Sequence, residues 1–292
     1  MSSGWHTQMS SALSIVVAIV SVFVMGIAAA AQPADVGAPA SLEEIRYWNR
    51  VGRSADAERA ARVSLKEAER VLGPESTAAA EILDELAVAL RRGGKGAEPE
   101  ALEVCQRAVR INKQAVGGKD RRYATSLYNL GLLYLVRREL KQALSVLKET
   151  LEIRKLALNR NHPDVAKSLL ALGSVQHDLG NYAEGLALTE QAVEIEEITL
   201  GKANPERAYG LNALAVAHYS TGDFSGAIPL FEEAIDLWER SDTPNPQVMA
   251  LCYHNLGAVC DEMGDHERAI GLLERALRLR EEQFGMSHPL VA

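Results

Sequence analysis

The chain has little of what several protein classes require. Its 292 residues include three cysteines, Cys105, Cys252 and Cys260, an odd number far below that of a disulfide scaffold, so packing must hold the fold. Cys252 and Cys260 fall on one expected helix, roughly 12 Å apart along its axis, and cannot bridge each other there. Aromatics are only 5% of the residues, whereas Ala, Leu and Glu recur throughout, which favours helices over a sandwich or barrel. There is no block of consecutive Lys or Arg, and the formal charge of −8 offers nothing to a phosphate backbone, which excludes a nucleic-acid partner. Hydrophobic residues, at 47%, are ample for a packed core.

From Ala12 to Ala31 no residue is charged, and the apolar run Ile15 to Met25 gives way to Gly26 and Ala28 to Ala31 before Gln32 and Pro33. This pattern reads as a signal peptide, residues 1–31, with cleavage between Ala31 and Gln32. The stretch is also long enough to span a bilayer, so retention as a membrane anchor is the alternative. Both readings export the remainder to the periplasm or the exterior. No cysteine lies near the cut, which argues against a lipoprotein. Residues 32–40, rich in Ala and Pro, read as a flexible leader.

Beyond the leader the sequence repeats. Ala101, Ala143, Gly185, Ala227 and Ala269 stand 42 residues apart, and each is followed by Leu or Ile. Eight residues on come Val109, Leu151, Val193, Ile235 and Leu277, extending one helical stripe by two turns. Upstream, Leu130, Leu172, Leu214 and Leu256 keep the same spacing, each followed by Gly131, Gly173, Ala215 or Gly257. Leu127, Leu169, Leu211 and Tyr253 share their face one turn earlier. Each unit is therefore a pair of helices. Gly180, Gly222 and Gly264 close the first helix, with Asn181, Asp223 and Asp265 expected to cap the second. His162-Pro163, Asn204-Pro205 and His288-Pro289 open new pairs. Pro229, inside a second helix, should distort its early turns.

These columns resemble tetratricopeptide repeats, and the 42-residue period resembles the longer variety found in kinesin light chains. The resemblance implies an all-α fold, a right-handed superhelical solenoid of antiparallel helix pairs with about five to six repeats. A degenerate pair occupies 41–72 and the array 73–292, with pairs at about 76–117, 121–159, 163–201, 205–242 and 247–285. The final residues, His288 to Ala292, match His162 to Ala166 and begin a further, incomplete repeat. HEAT or armadillo repeats have a similar period but lack the Leu-Gly column.

The resemblance also implies a concave groove for a protein or peptide. Its candidate residues are Tyr128, Asn129, Leu132, Lys167, Leu170, Ser174, His177, Tyr209, Asn212, Tyr219, His254, Asn255 and Asp261. Asn129 and Asn255 stand two before the small residue, where related repeats hold a bound peptide's backbone; Asn212 is shifted by one, and Ala171 and Ala213 interrupt the ladder.

Chemistry is sparse by comparison. Gly94-Lys95, Gly118-Lys119 and Gly201-Lys202 lack the upstream glycine of a phosphate loop. His162-Pro163-Asp164 copies a cochaperone tripeptide yet falls where every pair begins. His218 and Cys260 occupy a packing column, and His177-Asp178 and His254 with Asp261 lack a converging third group. No enzyme activity, metal or cofactor is expected, and membrane contact only through the N-terminal segment. The expected function is an exported interaction scaffold. The alternatives are the regulatory arm of a longer enzyme extending past Ala292, or an envelope assembly factor that self-associates through its C-terminal end.

Overall fold

The computed structural model describes residues 39–241 and 245–284. The signal or anchor segment, most of the leader and the incomplete final repeat lie outside the described residues. Among the described residues twelve α-helices follow in order: α1 Leu42–Arg50, α2 Ser54–Leu72, α3 Thr77–Arg92, α4 Pro99–Val116, α5 Arg121–Val136 and α6 Leu140–Ala157. Then come α7 Pro163–Asp178, α8 Tyr182–Leu200, α9 Ala208–Ser220, α10 Phe224–Glu239, α11 Pro246–Glu262 and α12 His266–Phe284. A 3-10 turn, Pro205–Arg207, leads into α9, and no strand occurs among the described residues. Odd-numbered helices are the first of each pair and even-numbered ones the second. Contacts divide the described residues into two compact units, which meet in sequence between Ala171 and Leu172.

In the first unit Ile45, Ala57, Ala61, Leu83, Leu86, Leu90, Ala101, Cys105 and Ile111 make one apolar core, which reaches Leu130 and Leu133. In the second, Leu211, Phe231, Trp238, Val248, Cys252, Leu256 and Val259 do the same. All three cysteines are buried as free thiols, and burial pushes Cys105 and Cys252 up to about 12.

The small-residue columns let paired helices approach closely. A Cβ on Gly131 would stand 2.6 Å from the Leu147 side chain, and one on Gly173 2.6 Å from Thr189 Oγ1 and 3.2 Å from the Gly185 carbonyl. In the matching column of the second helices Ala143 and Ala227 are fully buried. Between helices of a pair, Gly180, Gly222 and Gly264 take φ near +80°. The same place in the α5–α6 turn is held by Arg138 at φ +59°, which repeats the geometry without the glycine.

One local expectation changes. Asn181 makes no capping hydrogen bond; its amide donates instead to Gln176 Oε1 at 3.0 Å. Asp223, in contrast, accepts from the Gly226 N–H at 2.9 Å and Asp265 from the Arg268 N–H at 3.3 Å. α10 runs unbroken through Pro229, which sits early enough that its missing N–H removes one bond near the helix start.

Candidate partner-binding surface

In the first unit the candidate side chains are mostly engaged inside the protein. Tyr128, Asn129, Leu132 and Leu170 are all buried. Asn129 Nδ2 donates to Asp84 Oδ1 at 3.1 Å, Ser126 Oγ donates to Asp84 Oδ2 at 2.7 Å, and Asn112 Nδ2 donates to Ser126 Oγ at 2.8 Å. Four polar side chains from α3, α4 and α5 thus close into one network. Burial pushes the Asp84 carboxyl up to about 7, against the hydrogen bonds from Ser126 and Asn129 that favour its charge. Tyr128 lies under the Arg154 guanidinium, 4.4 Å from its ring centre. Arg154 Nη1 in turn donates to the Asp164 carbonyl at 2.8 Å and to Ser168 Oγ at 2.9 Å. Lys167 alone is exposed, paired with Asp164 at 3.1 Å.

The second unit presents more of its candidates. Ser174 and His177 on α7 are half-buried and, with Leu186 and Thr189 of α8 and Ala213, Val216 and Ala217 of α9, line an apolar recess. His177 Nε2 lies 2.5 Å from Ser220 Oγ, and Ser220 donates to the Val216 carbonyl at 2.8 Å. With its hydrogen directed to Val216, the hydroxyl oxygen is the side that faces Nε2. Nδ1 stands 3.9 Å from Asp178 Oδ1, and the ring meets Tyr182 edge-on at 5.2 Å. A serine, a histidine and an aspartate gather here, yet the histidine–aspartate distance exceeds a hydrogen bond.

Tyr209 OH accepts from Asn245 Nδ2 at 2.9 Å, with its ring edge-on to Trp238. Asn255 is completely buried and donates to Asn212 Oδ1 at 3.0 Å. Tyr219 is buried and bonds Glu262. His254 is half-buried, and burial, with the nearby Arg280 charge, holds its pKa down, so the ring is neutral. Asp261 is exposed and pairs with His266 at 2.7 Å.

The structure therefore brings together Asn212 with Asn255 and Ser174 with His177, and leaves Lys167 and Asp261 apart on open surface. Asn129 and Asn255 spend their amides between successive first helices rather than presenting them to solvent. Asp84 and Ser220 were not among the candidates, though both stand in register. Asp84 shares the column of Tyr128, Asn212 and His254 once the two-residue insertion before Ala101 is allowed for, and Ser220 that of Asp178 and Glu262. Among the described residues no three of His, Cys, Asp and Glu group to hold a metal, and no helix is long and apolar enough to cross a membrane.

A family model for the tetratricopeptide repeat matches residues 95–156, 136–197, 164–240 and 206–282. No curated protein matches the sequence. Solved structures do. The Podosopora anserina protein of nearly identical TPR-like repeats assigned as a kinesin light chain aligns at 23% identity and TM-score 0.56, over 69% of this chain and 95% of its own. BtubC (BKLC) from P. vanneervenii aligns at 21% identity and TM-score 0.61, over 86% of this chain and 94% of its own. The apo form of RapI aligns at 18% identity and TM-score 0.63, over 82% and 81%. At these identities the likeness is one of fold.

Proposed function

The chain belongs to the tetratricopeptide repeat family, and we propose that it is an exported scaffold whose first helices take a peptide or protein partner. The observation that carries this reading is the set of half-buried side chains left along first helices of the second unit: Ser174, His177, Tyr209 and His254. They are polar or aromatic, and Ser174 and His177 line the recess formed by α7, α8 and α9. Such a surface takes an apolar side chain and offers its neighbour polar contacts at Ser174 and His177. Export rests on the signal-like sequence of residues 1–31 alone.

The test is site-specific photocrosslinking from the exported fraction, with the reactive residue at Ser174 or His254 and, as comparison, at the exposed second-helix position Glu190. A partner captured from Ser174 and His254 but not from Glu190 is the expected result. Equal capture from all three positions, or accumulation of the chain in the cytoplasm, would contradict the proposal.

A further inference from the structure

The two compact units differ in charge far more than in fold. Residues 39–171 hold twenty-four Lys and Arg against eighteen Asp and Glu, whereas residues 172–292 hold seven against twenty, a formal −13. The seven cations of the second unit stand on or beside its second helices or at the entry to α9; none stands on α9, on α11 or on the last turns of α7. Six of them are engaged within the unit. Lys202 pairs with Glu197 at 3.1 Å, Arg207 with Glu233 at 3.2 Å, Arg240 with Asp236 at 2.8 Å, Arg278 with Glu274 at 3.8 Å and Arg268 with Glu232. Arg275 lies over the Tyr253 ring, 5.6 Å from its centre. The first helices of this unit therefore offer a partner no cation.

They do offer carboxylates. Asp261 and Glu262, both exposed, close the last turn of α11, where the helix-end carbonyls already carry partial negative charge. Glu262 accepts from Tyr219 OH of α9 and stands in the column of Ser220, which bonds His177 beside the recess. Neighbouring helices pack about 8–10 Å apart, so Glu262 follows Ser220 along the row by roughly that distance. An extended peptide covers it in about three residues. The recess itself exists because two columns hold alanine. Ala213 stands where Asn255 does in α11, and Ala217 where Val259 does, and both of those larger side chains are completely buried.

We infer that the peptide taken by the second unit is cationic: one aliphatic side chain enters the recess at Ala213 and Ala217, and a lysine or arginine about three residues away meets Asp261 and Glu262. This rests on the reading that first helices take a peptide, and adds which peptide. Charge selects the occupant. An acidic segment would meet the field of the whole unit with no cation on the first helices to receive it, whereas a basic one is drawn in and held at the end of α11.

The probe is a labelled peptide of sequence GSKKGSLGSKKGS, with lysine three residues from leucine in either direction, titrated with the full chain and read by fluorescence anisotropy. Saturable binding is expected, and the counterparts GSEEGSLGSEEGS and GSKKGSSGSKKGS should each bind about tenfold more weakly or worse. Ala217→Val fills the recess with the side chain that its column carries as Val175 and Val259, so it should fold normally by thermal unfolding and lose binding to a similar degree. Asp261→Asn with Glu262→Gln should weaken binding several-fold. Absence of saturation, equal binding of the acidic peptide, or binding that Ala217→Val leaves intact would overturn the inference, while the crosslinking result would still decide whether first helices take a partner at all. Sedimentation of the chain alone should show one concentration-independent species. Salt-sensitive self-association abolished by Asp261→Asn with Glu262→Gln would assign these carboxylates to the basic first unit of a second copy and overturn it as well.

Discussion

The joints α3–α5 and α9–α11 are built at the same two columns from different chemistry. In each, the residue three before the small column on one first helix accepts from the residue two before it on the next. In the first unit the acceptor is Asp84 and the donor Asn129; in the second they are Asn212 and Asn255. An amide pair is neutral at every pH. A buried carboxylate is not, and among the described residues no cation bonds Asp84; Glu81 and Glu85 on its own helix add to the cost of its charge. When Asp84 is protonated it donates to Ser126, whose hydrogen is then free for the oxygen of a turned Asn112 amide. Asn112 Oδ1 otherwise has no partner among the described residues. One substitution in a shared column thus makes the first joint sensitive to protons and leaves the second indifferent.

The largest expected effect follows from that difference. The Asp84 pKa of about 7 lies above the unfolded value, so as pH rises the unfolded chain releases this proton first. Stability from Asp84 is full below about pH 4 and is lost as pH climbs through about 7, a change of up to ~4 kcal/mol. Denaturant unfolding followed at Trp48, which packs on the first core, should show this loss, whereas Trp238, buried in the second, should not. Asp84→Asn should flatten the Trp48 profile and stabilise the first unit at pH 8. A variant that keeps the wild-type slope would remove Asp84 from the account. The converse, Asn255→Asp, should import a falling slope at Trp238.

Next in size is the amide pair itself. Asn255→Leu leaves Asn212 Oδ1 buried without its donor and should cost about 1–3 kcal/mol at the second unit. Adding Asn212→Leu should return part of that loss, because both polar atoms are then gone. A double-mutant cycle with no coupling would mean that the 3.0 Å bond contributes nothing to the joint.

The helix pairs and their all-α class were legible because period, small-residue columns and turn residues all point to one packing. The uses of polar residues in those columns were not. Asn129 and Asn255 resemble exposed ligand-binding asparagines in spacing, and only the approach of the preceding first helix decides that their amides are spent internally. Asp84 carried no local signal, since a carboxylate in a helix reads as solvated until its neighbours are known. Arg138 shows the same limit at a turn, where its column is otherwise glycine and its own sequence gives no sign of a positive φ.

The small-residue columns allow a comparison of interior with end. Gly131→Ala should cost about 1–3 kcal/mol, because its Cβ would press 2.6 Å into Leu147, which is fully buried and has nowhere to move. Gly257→Ala meets Leu273 at 3.0 Å, a side chain partly in solvent that can turn aside. It should cost well under half as much by thermal unfolding. Equal losses would show that Leu273 is held as firmly as Leu147.

The smallest effect isolates the column from the network. Tyr128 stands in the column of Asp84 and Asn212, but its hydroxyl is buried with no partner among the described residues, while its ring carries the Arg154 contact. Tyr128→Phe keeps the ring and removes an unsatisfied oxygen, so stability should change by no more than about 0.5 kcal/mol, and toward greater stability. A clear loss would reveal a hydrogen bond at that hydroxyl. The column would then specify a polar joint at Tyr128 as well, and the contrast between Asp84 and Asn212 would be one of degree.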